Sequence, residues 1–132
     1  MNAARVILEV HDRGSVLERY VFREPRACVV GSALDCDLRI SQRDAHDVSF
    51  YHCLFVINPP RIRVRDLVSR EGTYVNGARI GQSLEDIDLS DMHGTDLKDG
   101  DEIRIGQTLI RVVIEPCQES DELELAYTHH TN

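Results

Sequence analysis

The stretch Asp66-Leu-Val-Ser-Arg-Glu-Gly-Thr-Tyr-Val-Asn-Gly77 follows directly on "RIRVRD" and decides how the chain is read. Before it, apolar and charged residues alternate with the period of a strand; within it, two glycines, an asparagine and two hydroxyl residues concentrate turn chemistry. Val75-Asn76-Gly77 is the signature of a type I′ hairpin turn, whose two central residues both need positive φ. Working outward, the same grammar repeats. Short alternating or β-branched runs occur at 4–12, 18–24, 27–31, 37–40, 51–57, 61–67, 72–80, 101–106 and 108–115, separated by "DRGS", "REP", "NPP", "REG", "NG", "KDGD" and "GQ". No segment has the length and 3.6-residue period of an amphipathic helix. The pattern predicts an all-β chain, an antiparallel sandwich or barrel of short hairpins and meanders.

With 132 residues the chain has the length of one domain, and folding would bury roughly two-thirds of the surface that its unfolded form exposes. The expected domain runs over 1–116. It is interrupted by an acidic insertion loop at 82–96, in which Leu84, Ile87 and Met92 allow at most one helical turn. Residues 117–132 lose all alternation and read as an acidic, disordered tail. No signal peptide and no apolar run of about 18 residues is present, so a non-exported, cytoplasmic protein without membrane association is expected. Cys28, Cys36, Cys53 and Cys117 form no Cys-x-x-Cys pair, which suits reduced thiols.

The formal net charge of -8 is unevenly spread. Residues 1–81 hold 12 Arg or Lys against 10 Asp or Glu, and residues 82–132 hold 3 against 13. A half-chain that acidic repels a polyanion, which argues against nucleic acid as a partner. Every cation except Lys98 is an arginine, a planar fork suited to oxyanions. On the run "RIRVRD", Arg61, Arg63 and Arg65 fall on one face and Ile62 and Val64 on the other, the ordinary division of a sheet between water and core.

Catalysis finds little support. Ser49 and His52 with Asp44 and Asp47 can be assembled on paper into a nucleophile, base and orienter, but residues three apart in an extended or turning chain rarely reach attack geometry. There is no Gly-x-Ser-x-Gly elbow. The histidines, including His129 and His130, show no ligand spacing, and the spaced carboxylates of "DIDLSDMHGTD" lack the positions of a calcium loop. Neither a metal nor another cofactor is expected, and no enzyme activity.

The turns themselves hold the chemistry. Short hydroxyls and exposed N–H groups gathered at one end of a sandwich form a shallow cup for an anion or a peptide carbonyl; each turn alone is equally what any tight hairpin demands. Their order is more specific. Gly31 after a β run, Ser49-x-x-His52, Asp66-Leu67, Ser69, Gly72-Thr73, Val75-Asn76-Gly77 and "LKDGDEIRIG" at 97–106 resemble the forkhead-associated (FHA) domain over about residues 4–115, in the bacterial form found beside serine/threonine protein kinases.

The resemblance implies a sandwich of two twisted sheets with about 10–11 strands, whose loops at one end take a phosphothreonine peptide. It implies candidate peptide contacts at Ser32, Ser49, Phe50, Arg70, Glu71 and Thr73, with Gly31, His52, Gly72, Asn76 and Gly77 shaping the loops. Two departures stand out. Ser32 occupies the place where relatives carry a phosphate-gripping arginine, and Glu71 the place of an asparagine that holds the peptide backbone. The expectation is therefore a catalytically inert adaptor in kinase-linked signalling, with a serine/threonine kinase or its substrate as partner and weak or lost phosphate binding. The alternatives are a phosphate-independent scaffold or homodimer using sheet faces or Phe50 and Tyr51, and least a small hydrolase. Thr128 and Thr131 in the tail are candidate phosphorylation sites.

Overall fold

The computed structural model describes residues 4–12, 14–41, 47–80 and 94–115. Eleven strands are present among them: β1 (Arg5–Asp12), β2 (Ser15–Phe22), β3 (Arg26–Gly31), β4 (Leu38–Arg39), β5 (Cys53–Asn58), β6 (Arg61–Asp66), β7 (Thr73–Val75), β8 (Ala78–Arg79), β9 (Thr95–Asp96), β10 (Glu102–Ile105) and β11 (Thr108–Glu115). They form a six-stranded sheet in the order β2-β1-β11-β10-β7-β8 and a five-stranded sheet in the order β4-β3-β5-β6-β9. All pairs are antiparallel but one. β4 runs parallel to β3, with Val30 opposite Leu38 and Gly31 opposite Arg39, a departure from the all-antiparallel expectation.

Period-two alternation explains which faces meet. Val6, Leu8 and Val10 of β1, Ile110 and Val112 of β11, and Ile103 and Ile105 of β10 are buried on one sheet; Cys28, Val30, Cys53, Phe55, Ile57, Ile62 and Val64 are buried on the other. Together they form one core. Burying each such side chain contributes about 1.5–3 kcal/mol. Ile62 and Val64 point inward as expected, and Arg61, Arg63 and Arg65 are exposed.

Where the chain turns, the local chemistry is visible. Asn76 (φ 49°) and Gly77 (φ 87°) both lie in the left-handed region that a type I′ turn requires. Asn76 also fastens this hairpin to β10: its Nδ2 donates to Asp101 Oδ1 (3.0 Å), its Oδ1 accepts from the Glu102 N–H (3.0 Å) and its own N–H donates to the Glu102 carbonyl (2.8 Å). The "KDGD" turn is closed by Asp101, whose Oδ2 accepts the Lys98 N–H at 2.7 Å.

Two expectations need correction. β2 begins at Ser15, three residues earlier than the alternation suggests, because Val16 and Leu17 are exposed and leave no inward–outward signal. The segment 82–96 is not a loop to its end: Thr95–Asp96 pairs with β6, and Asp96 Oδ1 accepts from Arg63 Nε at 2.7 Å. Residues 81–93, with Leu84, Ile87 and Met92, lie outside the described residues, as do Cys117 and the tail to 132. Cys28, Cys36 and Cys53 are free thiols. Burial pushes the Cys28 thiol up to about 12 and the Cys53 thiol well above its ordinary value. Among the described residues no helix is long and apolar enough to cross a membrane.

A loop cup at one end of the sandwich as the candidate functional site

Three loops converge beyond the ends of β3, β5 and β6: residues 32–37, 47–52 and 67–72. Main-chain bonds bring the first two together, from Ser32 N–H to the Ser49 carbonyl (3.0 Å) and from Ala33 N–H to the Phe50 carbonyl (3.1 Å). Gly31 makes this approach possible. A Cβ there would stand 2.0 Å from the Phe50 carbonyl oxygen, an impossible separation, so any side chain would force the loops apart.

His52 joins the second loop to the third. It is 0% exposed, its Nδ1 accepts the Ser49 N–H at 3.1 Å, and its Nε2 lies 2.9 Å from the Gly72 carbonyl oxygen. A ring nitrogen that accepts from an amide cannot itself bear a proton, so this arrangement assigns the neutral tautomer with the proton on Nε2, donating to Gly72. Both nitrogens are thus committed to backbone groups. Neither is available to deprotonate Ser49, and the hydrolase arrangement of Ser49 and His52 loses its base. Ser49 Oγ instead accepts the Arg70 N–H at 3.1 Å.

Asp66 organises the third loop. Its Oδ2 accepts the Ser69 N–H (3.0 Å), while its Oδ1 accepts the hydroxyls of Ser69 (2.5 Å) and Thr73 (2.6 Å). Ser69 Oγ in turn accepts the Gly72 N–H at 3.0 Å. A buried hydroxyl, a buried carbonyl and one carboxylate therefore set the path of residues 66–73, and Val68 is held at φ 54°, which β-branched residues rarely adopt. Gly72 (φ 91°) lies against Arg79, whose Nε would be 2.6 Å from a Cβ at that position.

The site residues expected from sequence divide into two groups. Ser49 is half-buried, and Phe50, Arg70 and Glu71 are exposed on the converging loops, with Phe50 73% exposed. Ser32 and Thr73 do not present their hydroxyls outward. Ser32 Oγ donates to the Val48 carbonyl (3.3 Å), and Thr73 is buried with its hydroxyl on Asp66; Thr73 is a brace rather than a surface contact. Gly31, His52, Gly72, Asn76 and Gly77 all sit at bends or bridges of the loops. Tyr51 donates its hydroxyl to Asp35, and that bond raises the phenol above its usual range.

Four participants went unread in the sequence. Asp66 was visible in the motif order without a role, although an acid three residues before a serine is a known way to start a turn. Arg39 approaches Ser32 through the parallel β3–β4 pairing, donating from Nε to the Ser32 carbonyl at 3.0 Å, and no local pattern announces such a contact. Arg79 and Val68 were likewise silent. Among the described residues no group of His, Cys, Asp and Glu could hold a metal ion; His129, His130 and most of "DIDLSDMHGTD" lie outside them.

A family model described as FHA domain matches residues 28–106. The chain is similar to a structure from a study of phosphothreonine-dependent FHA domain interactions, at 28% identity and TM-score 0.66, over 86% of this chain and 99% of that one. It is similar to the FhaA FHA domain complexed with the intracellular domain of Rv3910, at 29% identity and TM-score 0.62, over 81% and 98% of the two chains. Mycobacterium tuberculosis EmbR in complex with low affinity phosphopeptide matches at 25% identity and TM-score 0.62, over 86% of this chain and 26% of that one. No curated protein matches the chain at a significant level.

Proposed function

The chain belongs to the forkhead-associated family, and from that premise we propose that it is an interaction module which takes a phosphothreonine segment of a partner protein in its loop cup and grips the phosphate weakly. The reading assigns it no chemistry of its own. Its role is that of an adaptor in serine/threonine-kinase-linked signalling, acting in the cytoplasm on a kinase or a kinase substrate.

The observation that carries the proposal is the placement of Ser49. Its hydroxyl oxygen receives the Arg70 N–H, its backbone is braced by buried His52, and its own proton remains to be donated to an anion at the mouth of the cup. Phosphothreonine brings about -1.5 to -2 charges at neutral pH. Each charge-assisted bond to it is worth about 1.5–3 kcal/mol, one to two decades in Kd. With serine at position 32 one such contact is missing, and the Glu71 carboxylate adds repulsion. Titration with a degenerate phosphothreonine peptide library and its unphosphorylated counterpart tests this. Weak binding that needs the phosphate supports the proposal; equal binding of both libraries removes it.

A second reading is favoured by the apolar rim. Leu34 (84% exposed), Phe50 (73%) and Val68 (54%) stand on the three joined loops, and aromatic and aliphatic side chains so placed make anchors for an unmodified partner or a second copy. Light scattering across a concentration series and equal affinity for unphosphorylated peptide are its signatures.

A further inference from the structure

A phosphate-binding cup without an arginine at its expected place raises the question of which cation faces the ligand. Position 32 cannot supply it, since Ser32 is short and directs its hydroxyl at the Val48 carbonyl. A guanidinium nevertheless reaches the main chain of that residue from the neighbouring strand. β4 lies parallel to β3 with Arg39 opposite Gly31, and the Ile40 N–H donates to the Gly31 carbonyl at 2.8 Å, which fixes the register. Leu38 and Ile40 are buried on the core side, so alternation turns the intervening Arg39 outward, and it is exposed. Its Nε donates to the Ser32 carbonyl at 3.0 Å.

That bond holds the head of Arg39 against the residue whose own side chain would otherwise have done the work. Ser32 N–H, in turn, donates to the Ser49 carbonyl at 3.0 Å, so residue 32 links the guanidinium on its β4 side to the loop that carries the Ser49 hydroxyl. An arginine has five N–H donors in a rigid fork, and the Ser32 bond uses one of them. The acids of the same loop are engaged elsewhere: Asp35 accepts the Tyr51 hydroxyl, and Asp37 accepts the Val29 N–H and pairs with Arg26. Two other arginines border the cup. Arg70 contributes its main-chain N–H to Ser49, and Arg79 packs over Gly72.

We propose that Arg39 is the phosphate-facing cation of this cup, supplied from β4 in place of an arginine at position 32. The proposal rests on the phosphothreonine reading above and names the residue that sustains it. Phosphate dependence then survives the serine at position 32, and its strength is set by a fork anchored through Nε to a main-chain carbonyl instead of one projecting from the strand end.

The experiment compares the phosphothreonine library with its unphosphorylated counterpart on the wild type, Arg39→Ala, Arg39→Lys, Arg63→Ala and the double variant Ser32→Arg/Arg39→Ala. The quantity read is the ratio of the two affinities, with amide spectra confirming that each variant folds. Arg39→Ala is expected to lower the ratio about tenfold or more by weakening the phosphorylated library alone. Arg39→Lys, which keeps the charge without the fork, falls between. Arg63→Ala, a sheet-face arginine bound to Asp96, leaves the ratio unchanged, and Ser32→Arg restores it in the Arg39→Ala background. A phosphate-dependent wild type whose ratio is unaffected by Arg39→Ala overturns the assignment of Arg39 while the functional reading stands. Equal loss of both libraries, without rescue by Ser32→Arg, overturns it too, by reducing Arg39 to a brace of the loop. A wild type with no preference for phosphate overturns the functional reading and the assignment together.

Discussion

Replacing His52 with phenylalanine isolates the bridge on which the cup depends. Phenylalanine is the larger side chain, so the substitution opens no cavity in a position that is fully buried, and any overpacking adds to the cost. What it removes is polar. The Ser49 N–H loses its acceptor in a part-buried place and the Gly72 carbonyl loses its donor in a buried one. An unsatisfied buried group costs about 1–3 kcal/mol, so the pair should cost about 2–6 kcal/mol, with the lower half expected because loop ends can turn toward water. A domain of this size has about 5–15 kcal/mol of stability, so the variant should fold with a markedly reduced margin. With no tryptophan in the sequence, far-ultraviolet circular dichroism in a urea series is the suitable assay, and an unchanged m-value would show that the same cooperative unit unfolds. A loss below about 1 kcal/mol would refute the claim that His52 satisfies two backbone groups.

Gly31→Ala should destabilise the domain by about 1–3 kcal/mol, because its Cβ would collide with a main-chain oxygen and not with a movable side chain; urea unfolding checks this, and a neutral result contradicts the close approach. Asp66→Asn leaves an amide facing the Ser69 N–H where Oδ2 now accepts, and a loss of about 1–3 kcal/mol is expected with exchange broadening of the 66–73 amides; sharp, unshifted resonances would speak against its central place. Cys28 supplies a pH dependence. Its thiol titrates near 12 when folded against an ordinary 9.0, so the folded chain keeps the proton longer, and the thiol's contribution, intact below about pH 9, is lost as pH rises toward 12. Urea midpoints measured between pH 8 and 11 should fall, and less steeply in Cys28→Ala; identical slopes would mean that Cys28 does not contribute.

The sheet framework was readable because period-two alternation survives in each strand that contacts the core. Arg61, Arg63 and Arg65 against Ile62 and Val64 is the plainest example, and the Asn76-Gly77 turn followed from the residues it needs. Illegible parts share a physical cause. β9 is two residues long, too short for any period, and β2 lies at a sheet edge with mixed residues exposed, so its first residues leave no signal. At the cup, the sequence order named residues on the loops that converge but not the direction of each side chain. Thr73 looks like a surface hydroxyl in one dimension and is buried in three, since Asp66 sits within reach only once the loop closes. Arg39 depends on a parallel pairing between strands separated by a loop, and nothing local encodes it.

The central claim is that the joined loops around Ser49 receive a phosphate. Amide chemical shifts recorded while phosphothreonine peptide is added test it most directly. The account predicts saturable shifts at Ser32, Ser49, Arg70 and Gly72, absent with the unphosphorylated peptide, and none along β2. Shifts of equal size with both peptides, or shifts confined to the outer sheet faces, would contradict it.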